Sequence, residues 1–287
     1  TMISLAAQSG AQAVKFQSII PDKLVSVKQK ETIELFRKFQ FMPDQFIELK
    51  EYSNSQGVLF MSTPFDVESA KFLDPLVPAF KIASGDNNYW PLIEKIVSTG
   101  KPIIISTGMA SFDDIKKAKT FIESRWETRG IEQKLIILHC VSLYPTPPEL
   151  VNLQTIRFLK DNLNSIIGFS DHTIGIDAAI LAVGLGARVI EKHFTLNKNF
   201  SDFPDHAISM DPADLKELVR RIGETQDMLG SYGVALEEKQ EEIARIARRS
   251  IVAISDLPVG TKLELAHLDW VRPGDGLPPG EENKLIG

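Results

Sequence analysis

Seven short apolar runs, separated by helix-like stretches, set the limits on how this chain can fold. They occupy 13–16, 58–62, 79–83, 102–106, 135–139, 165–169 and 188–191. Most are apolar without alternation, the pattern of strands covered on both faces. Helical spacing fills the gaps at 31–39 with 44–53, 67–73, 91–98, 113–124, 153–162 and 176–185, and again at 212–229. Asp211 before Pro212 is a cap followed by a first-turn proline. Strand then helix, repeated seven times, predicts an α/β chain with a parallel sheet.

A (β/α)8 barrel needs eight strands. Residues 2–9 read as the end of a helix that leads into Gly10 and the first visible strand. The simplest expectation is a (β/α)8 TIM barrel lacking its first strand. An open doubly wound sheet tolerates seven. The barrel is preferred because polar residues gather after nearly every strand, not at one switch point. Past Gly233 the texture changes. A charged helical stretch at 237–249 precedes short strands dense in Gly and Pro. The expected organisation is a barrel over 1–232, a linker over 233–249 and a small β-rich domain over 250–287, with both ends cut.

Bulk properties exclude several functions. A formal net charge of −6 lacks the basic face that nucleic acid requires. No apolar run is long enough for a membrane helix, and no signal peptide opens the chain. The single cysteine, Cys140, excludes an intramolecular disulfide and fits a reducing compartment. Cytoplasm is the expected location.

Two histidines lie just past neighbouring strands. His172 follows the sixth run and His193 the seventh, with one helix between them. Equivalent positions on adjacent parallel strands lie roughly 5 Å apart. Position alone balances two readings, a shared divalent metal and a pair of polar loop caps. The other strand ends supply Lys15, Thr63, Lys81, Ser84, Asp86, Ser106, Ser142, Tyr144 and Ser170. Lysines give point charge and hydroxyls give directed donors, which suits a compact anion such as a phosphate ester. Singly, Lys15 or Lys81 is more often a strand-end charge, and Ser-Thr-Pro is a common turn former. His139 reads as a satisfied interior histidine. Two imidazoles beside a phosphate pocket leave coordination positions open, as a Lewis-acid metal requires and a structural zinc site does not.

The motifs, taken together, resemble those of the sialic acid synthases, which condense phosphoenolpyruvate with an N-acetylated hexosamine. The resemblance rests on Val14-Lys15-Phe16-Gln17, Ser62-Thr63-Pro64-Phe65, Phe80-Lys81 through Gly85-Asp86, and Ser106-Thr107-Gly108-Met109. It continues through His139-Cys140, Tyr144-Pro145, Ser170-Asp171-His172-Thr173, Glu191-Lys192-His193-Phe194 and Pro204-Asp205-His206. It implies a (β/α)8 barrel followed by an antifreeze-like (SAF) domain. It implies metal ligands, for manganese or magnesium, at His172 and His193. It places phosphoenolpyruvate contacts at Lys15, Thr63, Lys81, Ser84, Ser106, Ser142 and Ser170, and sugar contacts at Asp86, Tyr144 and Asp205. His172, His193, Lys15, Lys81 and Tyr144 would carry catalysis. A domain-swapped homodimer is implied, with Arg272 reaching the partner's sugar. N-acetylmannosamine is the expected acceptor; the alternatives are a diacetamido sugar giving legionaminate, or a non-catalytic sugar-binding relative. An aldolase would need a second phosphate site, and no spare basic cluster provides one. Three positions depart from the family pattern: Ser142 for asparagine, Asp86 for glutamate, and Phe203 for a glycine before Pro-Asp. The family's first strand, with its catalytic glutamate, is not among the matched motifs.

Overall fold

Strands with apolar side chains at nearly every position cannot face water, so helices must cover them. A computed structural model, describing every residue from Thr1 to Gly287, shows this arrangement. The strands are β1 (Ala13–Ser18), β2 (Leu59–Pro64), β3 (Phe80–Ile82), β4 (Ile103–Ser106), β5 (Leu135–Cys140), β6 (Ile166–Asp171) and β7 (Ile190–Lys192). β1 pairs with β2 in parallel, and β3 to β7 form a five-stranded parallel sheet in chain order. β2 packs beside β3. The order never reverses, so there is no switch point of the doubly wound kind, and the wall is barrel-like.

The chain divides into two units, Thr1–Gly230 and Ser231–Gly287. In the first, each strand leads to a covering helix. Alternation on β3 shows the principle: Phe80 and Ile82 enter the helix-facing core, and Lys81 between them faces the other way. Phe46, Phe60, Leu73, Leu92, Ile93, Ile96, Ile122 and Phe169 fill the same core. Burying each such side chain contributes about 1.5–3 kcal/mol. A second cluster of Ala6, Ala179, Met210, Leu215 and Leu218 joins helices Met2–Gln8, Asp177–Gly184 and Pro212–Leu229.

Caps fix the loops that lead out of the strand ends. Asp66 accepts from the Glu68 and Ser69 amides at 2.8 Å, starting helix Val67–Leu73 directly after β2. Ser111 and Asp114 form a capping box on helix Phe112–Thr128, which closes the turn after β4. Asp211 caps helix Pro212–Leu229. The Pro-Asp-His motif opens a short helix, Pro204–Ile208.

The second unit holds helix Glu238–Ala247 and an antiparallel pair, β8 (Ser250–Ala253) and β9 (Leu268–Val271). Ser250, Ile251 and Leu268 are its buried residues. No helix of either unit is long and apolar enough to cross a membrane.

Candidate active site

The polar strand ends converge because parallel strands deliver all their carboxyl ends to one edge. On β6 and β7 the register pairs Ser170 with Glu191 and Asp171 with Lys192. The next step along both strands is His172 beside His193. Their ring centroids lie 5.4 Å apart. Alternation puts Ser170, His172, Glu191 and His193 on one face and Asp171 and Lys192 on the other. Those two form a buried ion pair at 2.8 Å, with side chains 0% and 1% exposed. Lys192 also donates to the Thr173 carbonyl at 2.7 Å. Lys192 is thus committed to the scaffold and is not an anion contact.

His172 Nδ1 lies 2.9 Å from the Val141 carbonyl. In the neutral tautomer it donates there, which leaves Nε2 free as a ligand. His193 has Asp205 Oδ2 3.9 Å from its Nδ1. Burial lowers the His193 pKa to about 4 against the pull of Asp205, so its ring is neutral near pH 7. The Tyr144 ring packs against both, tilted on His172 with centroids 4.3 Å apart and edge-on to His193 at 6.2 Å. Burial pushes its hydroxyl up to about 12. The Thr146 amide donates to the His172 carbonyl at 2.9 Å, tying the same loop to β6. Burial pulls the His172 pKa down, but the Cys140 thiol and the Val141 carbonyl beside it hold it above its ordinary value, so an ion taken up there would displace a proton. A pair of imidazoles alone would leave the other positions of such an ion open.

Beside them sits a cationic pocket. Lys15 Nζ donates to Thr63 Oγ1 at 3.3 Å. Lys81, 3% exposed, donates to Ser106 Oγ at 2.7 Å and to the Ile82 carbonyl at 2.9 Å. Its Nζ is 3.8 Å from Glu191 Oε1, and Ser170 Oγ donates to the same carboxylate oxygen at 3.2 Å. Burial would raise the Glu191 pKa, but Lys15, Lys81, Ser170 and His193 hold it down at about 2. Burial in turn pulls the Lys81 ammonium below its usual value, opposed by Glu191. Residues from β1, β3 and β7 therefore share one electrostatic site.

The neutral donors lie on the next loops. Ser84 Oγ accepts from the Gly108 amide at 3.0 Å. Ser142 Oγ is buried with no partner, and so is Asp86 Oδ2. Burial raises the Asp86 carboxyl to about 6. Buried polar atoms without partners are rare, and a ligand's donors and acceptors would satisfy these two. His139 is an interior histidine, with Nε2 2.8 Å from the Val151 carbonyl. Arg272 belongs to the second unit, exposed just past β9.

Glu191 was absent from the sequence-derived set, counted instead as the end of an apolar run. Period-two alternation through Glu191-Lys192-His193 is the signal that places it on the histidine face. Nothing in the sequence separates Gly108 from the rest of the Ser106–Met109 motif.

Residues 2–233 match the model of the NeuB family. The chain belongs to that family. This NeuB-family chain is 36% identical to the N,N'-diacetyllegionaminic acid synthase of Legionella pneumophila, over 100% of its own length and 84% of the relative's. It is 33% identical to the human N-acetylneuraminate-9-phosphate synthase, over 100% of its length and 82% of that protein's. Among solved structures, it resembles the sialic acid synthetase of Leptospira borgpetersenii bound to citrate. The TM-score is 0.78 and the identity 35%, covering 84% of this chain and 83% of the other.

Proposed function

We propose that this NeuB-family enzyme condenses phosphoenolpyruvate with the open-chain aldehyde of an N-acetylated hexosamine, giving a nonulosonic acid and phosphate. The observation that carries the reading is the convergence of Lys15, Lys81, Glu191, His172 and His193 at one strand edge. Relatives that make N,N'-diacetyllegionaminic acid and N-acetylneuraminate 9-phosphate support it.

Lys15 and Lys81 offset the charge of phosphoenolpyruvate, while Thr63, Ser84, Ser106, Ser142 and Ser170 supply directed donors. Tyr144, Asp86 and Asp205 surround the sugar. His172 and His193 hold a divalent ion, manganese or magnesium, which when bound supplies Lewis-acid polarisation of the aldehyde oxygen. Carbon 3 of phosphoenolpyruvate attacks the aldehyde carbon, and water captures the cationic centre left at carbon 2. Glu191, ionised beside that centre, takes the proton that the captured water releases and returns it to the former aldehyde oxygen, which becomes the new hydroxyl. The tetrahedral species then collapses to the ketone: the C–O bond to phosphate breaks and the carbon-2 hydroxyl proton leaves with the phosphate. Preorganised charges and donors do this mainly by positioning.

A substrate panel on the full protein tests the reading. Phosphoenolpyruvate, manganese and N-acetylmannosamine should release phosphate and give a product with the mass of a nonulosonic acid. A diacetamido sugar forms the second arm. If neither sugar releases phosphate and phosphoenolpyruvate does not bind, the reading fails. The same reading assigns the second unit to the antifreeze-like class and the assembly to a homodimer, which light scattering would count as two chains.

A further inference from the structure

Gly108 sits where three loops meet. Its amide donates to Ser84 Oγ at 3.0 Å, in the turn after β3. Its carbonyl accepts from Asn87 Nδ2 at 3.2 Å, just beyond that turn. Its remaining face meets Ser142, in the loop after β5. A Cβ built on Gly108 would lie 2.2 Å from Ser142 Oγ, 2.7 Å from Ser84 Oγ and 3.0 Å from Ser84 Cβ. Conformation is not the reason for glycine here, because its φ lies outside the left-handed region. Strain falls instead on the next residue, Met109, at φ 62°. What Gly108 provides is space, and the space is filled by two hydroxyl oxygens.

Those hydroxyls have unequal partners. Ser84 Oγ accepts from Gly108 and reaches the Cys140 sulfur at 3.4 Å, a weak contact. Ser142 Oγ is buried without any partner. Both hydroxyls thus crowd the same face of Gly108, and one of them is wholly unspent.

We propose that Gly108 is a positioning residue for phosphoenolpyruvate: by lacking a side chain it lets the Ser84 and Ser142 hydroxyls converge on one oxygen of that substrate. The inference rests on the function proposed above and sharpens it. Any side chain at 108 drives both hydroxyls out of line.

A mutant cycle tests it. Phosphoenolpyruvate affinity is measured by calorimetry for the wild type, Gly108→Ala, Ser142→Ala and the double variant, with melting temperature as a control for folding. Gly108→Ala should weaken phosphoenolpyruvate binding about tenfold or more, the size expected for lost hydrogen bonds to a charged ligand. The KM for phosphoenolpyruvate should rise far more than kcat falls, and the KM for the sugar should stay near wild type. The double variant should bind no more weakly than Gly108→Ala, because both changes remove the same hydroxyl. Wild-type binding by Gly108→Ala, or losses that add in full, would overturn the proposal. If Gly108→Ala does not fold, the triple variant with Ser84→Ala and Ser142→Ala removes both colliding oxygens. It should fold and match the serine double variant in affinity; failure to fold counts against the proposal. A wild type that binds no phosphoenolpyruvate would sink the functional reading itself, an outcome distinct from wild-type binding by Gly108→Ala.

Discussion

Asp86 shows how one side chain ties the site's chemistry to its stability. Burial with an unpartnered Oδ2 raises its carboxyl to about 6. In the unfolded chain the group titrates near its ordinary value, about 4. Between about pH 4 and 6 the folded chain therefore holds a proton that the unfolded chain has released. Stability from this group falls as pH rises through that window, and the full penalty is present above it. Asp86→Asn should accordingly stabilise the protein at pH 7.5 and leave it unchanged near pH 4. Urea unfolding at the two pH values checks this, and equal effects at both would refute it. In the functional reading, the ionised form meets the sugar's donors, so the acid limb of kcat/KM for the sugar near pH 6 should vanish in the same variant. The sequence marks Asp86 as a strand-end polar residue, but the shift follows from how neighbouring loops bury it. The role of Glu191 is hidden in the sequence for a related reason. Its importance comes from Lys15 and Lys81, which are distant in sequence and become neighbours only when the wall curves.

Among the elements, β6 and β7 decide whether a two-histidine site exists. A slip of one residue would turn His193 to the opposite face and bring Lys192 into the site. The Asp171–Lys192 pair, fully buried behind the histidines, resists that slip. Lys192→Met leaves a buried carboxylate with no counter-charge and should destabilise the fold by about 3–5 kcal/mol. Replacing both, as Asp171→Asn with Lys192→Met, should recover much of that loss. Chemical denaturation measures both, and a single variant as stable as wild type would show that the pair does not lock the register. The strands were legible because apolar runs of four or more residues between turn residues leave few alternatives. Helices Val67–Leu73 and Pro212–Leu229 were legible to the residue, each preceded by a capping aspartate. Helix Pro204–Ile208 was not, since five residues are too few to show a helical period.

At the scale of the whole molecule, the site has no local version. Its residues run from Lys15 on β1 to Asp205 beyond β7, and every strand between contributes a side chain or a neighbouring loop. The order of seven strands was readable from the strand-then-helix repeat. The curvature that lets Lys15 act on Glu191 was not, because it arises from the twist summed across all strands. A site assembled only by the complete wall couples ligand binding to global folding. If His172 and His193 hold an ion, as proposed, that ion binds the folded chain and not the unfolded one. At a hundredfold excess over its Kd it should stabilise the fold by about 2.7 kcal/mol. For a unit of this size that is about 5–10 °C in Tm. Thermal melts with manganese, with magnesium and with a chelator give the measurement. Wild type should shift upward with at least one ion and return with chelator, while His172→Ala should melt at one temperature throughout. The same rise in the variant would place the ion elsewhere, and no rise in wild type would remove the metal from the proposed chemistry.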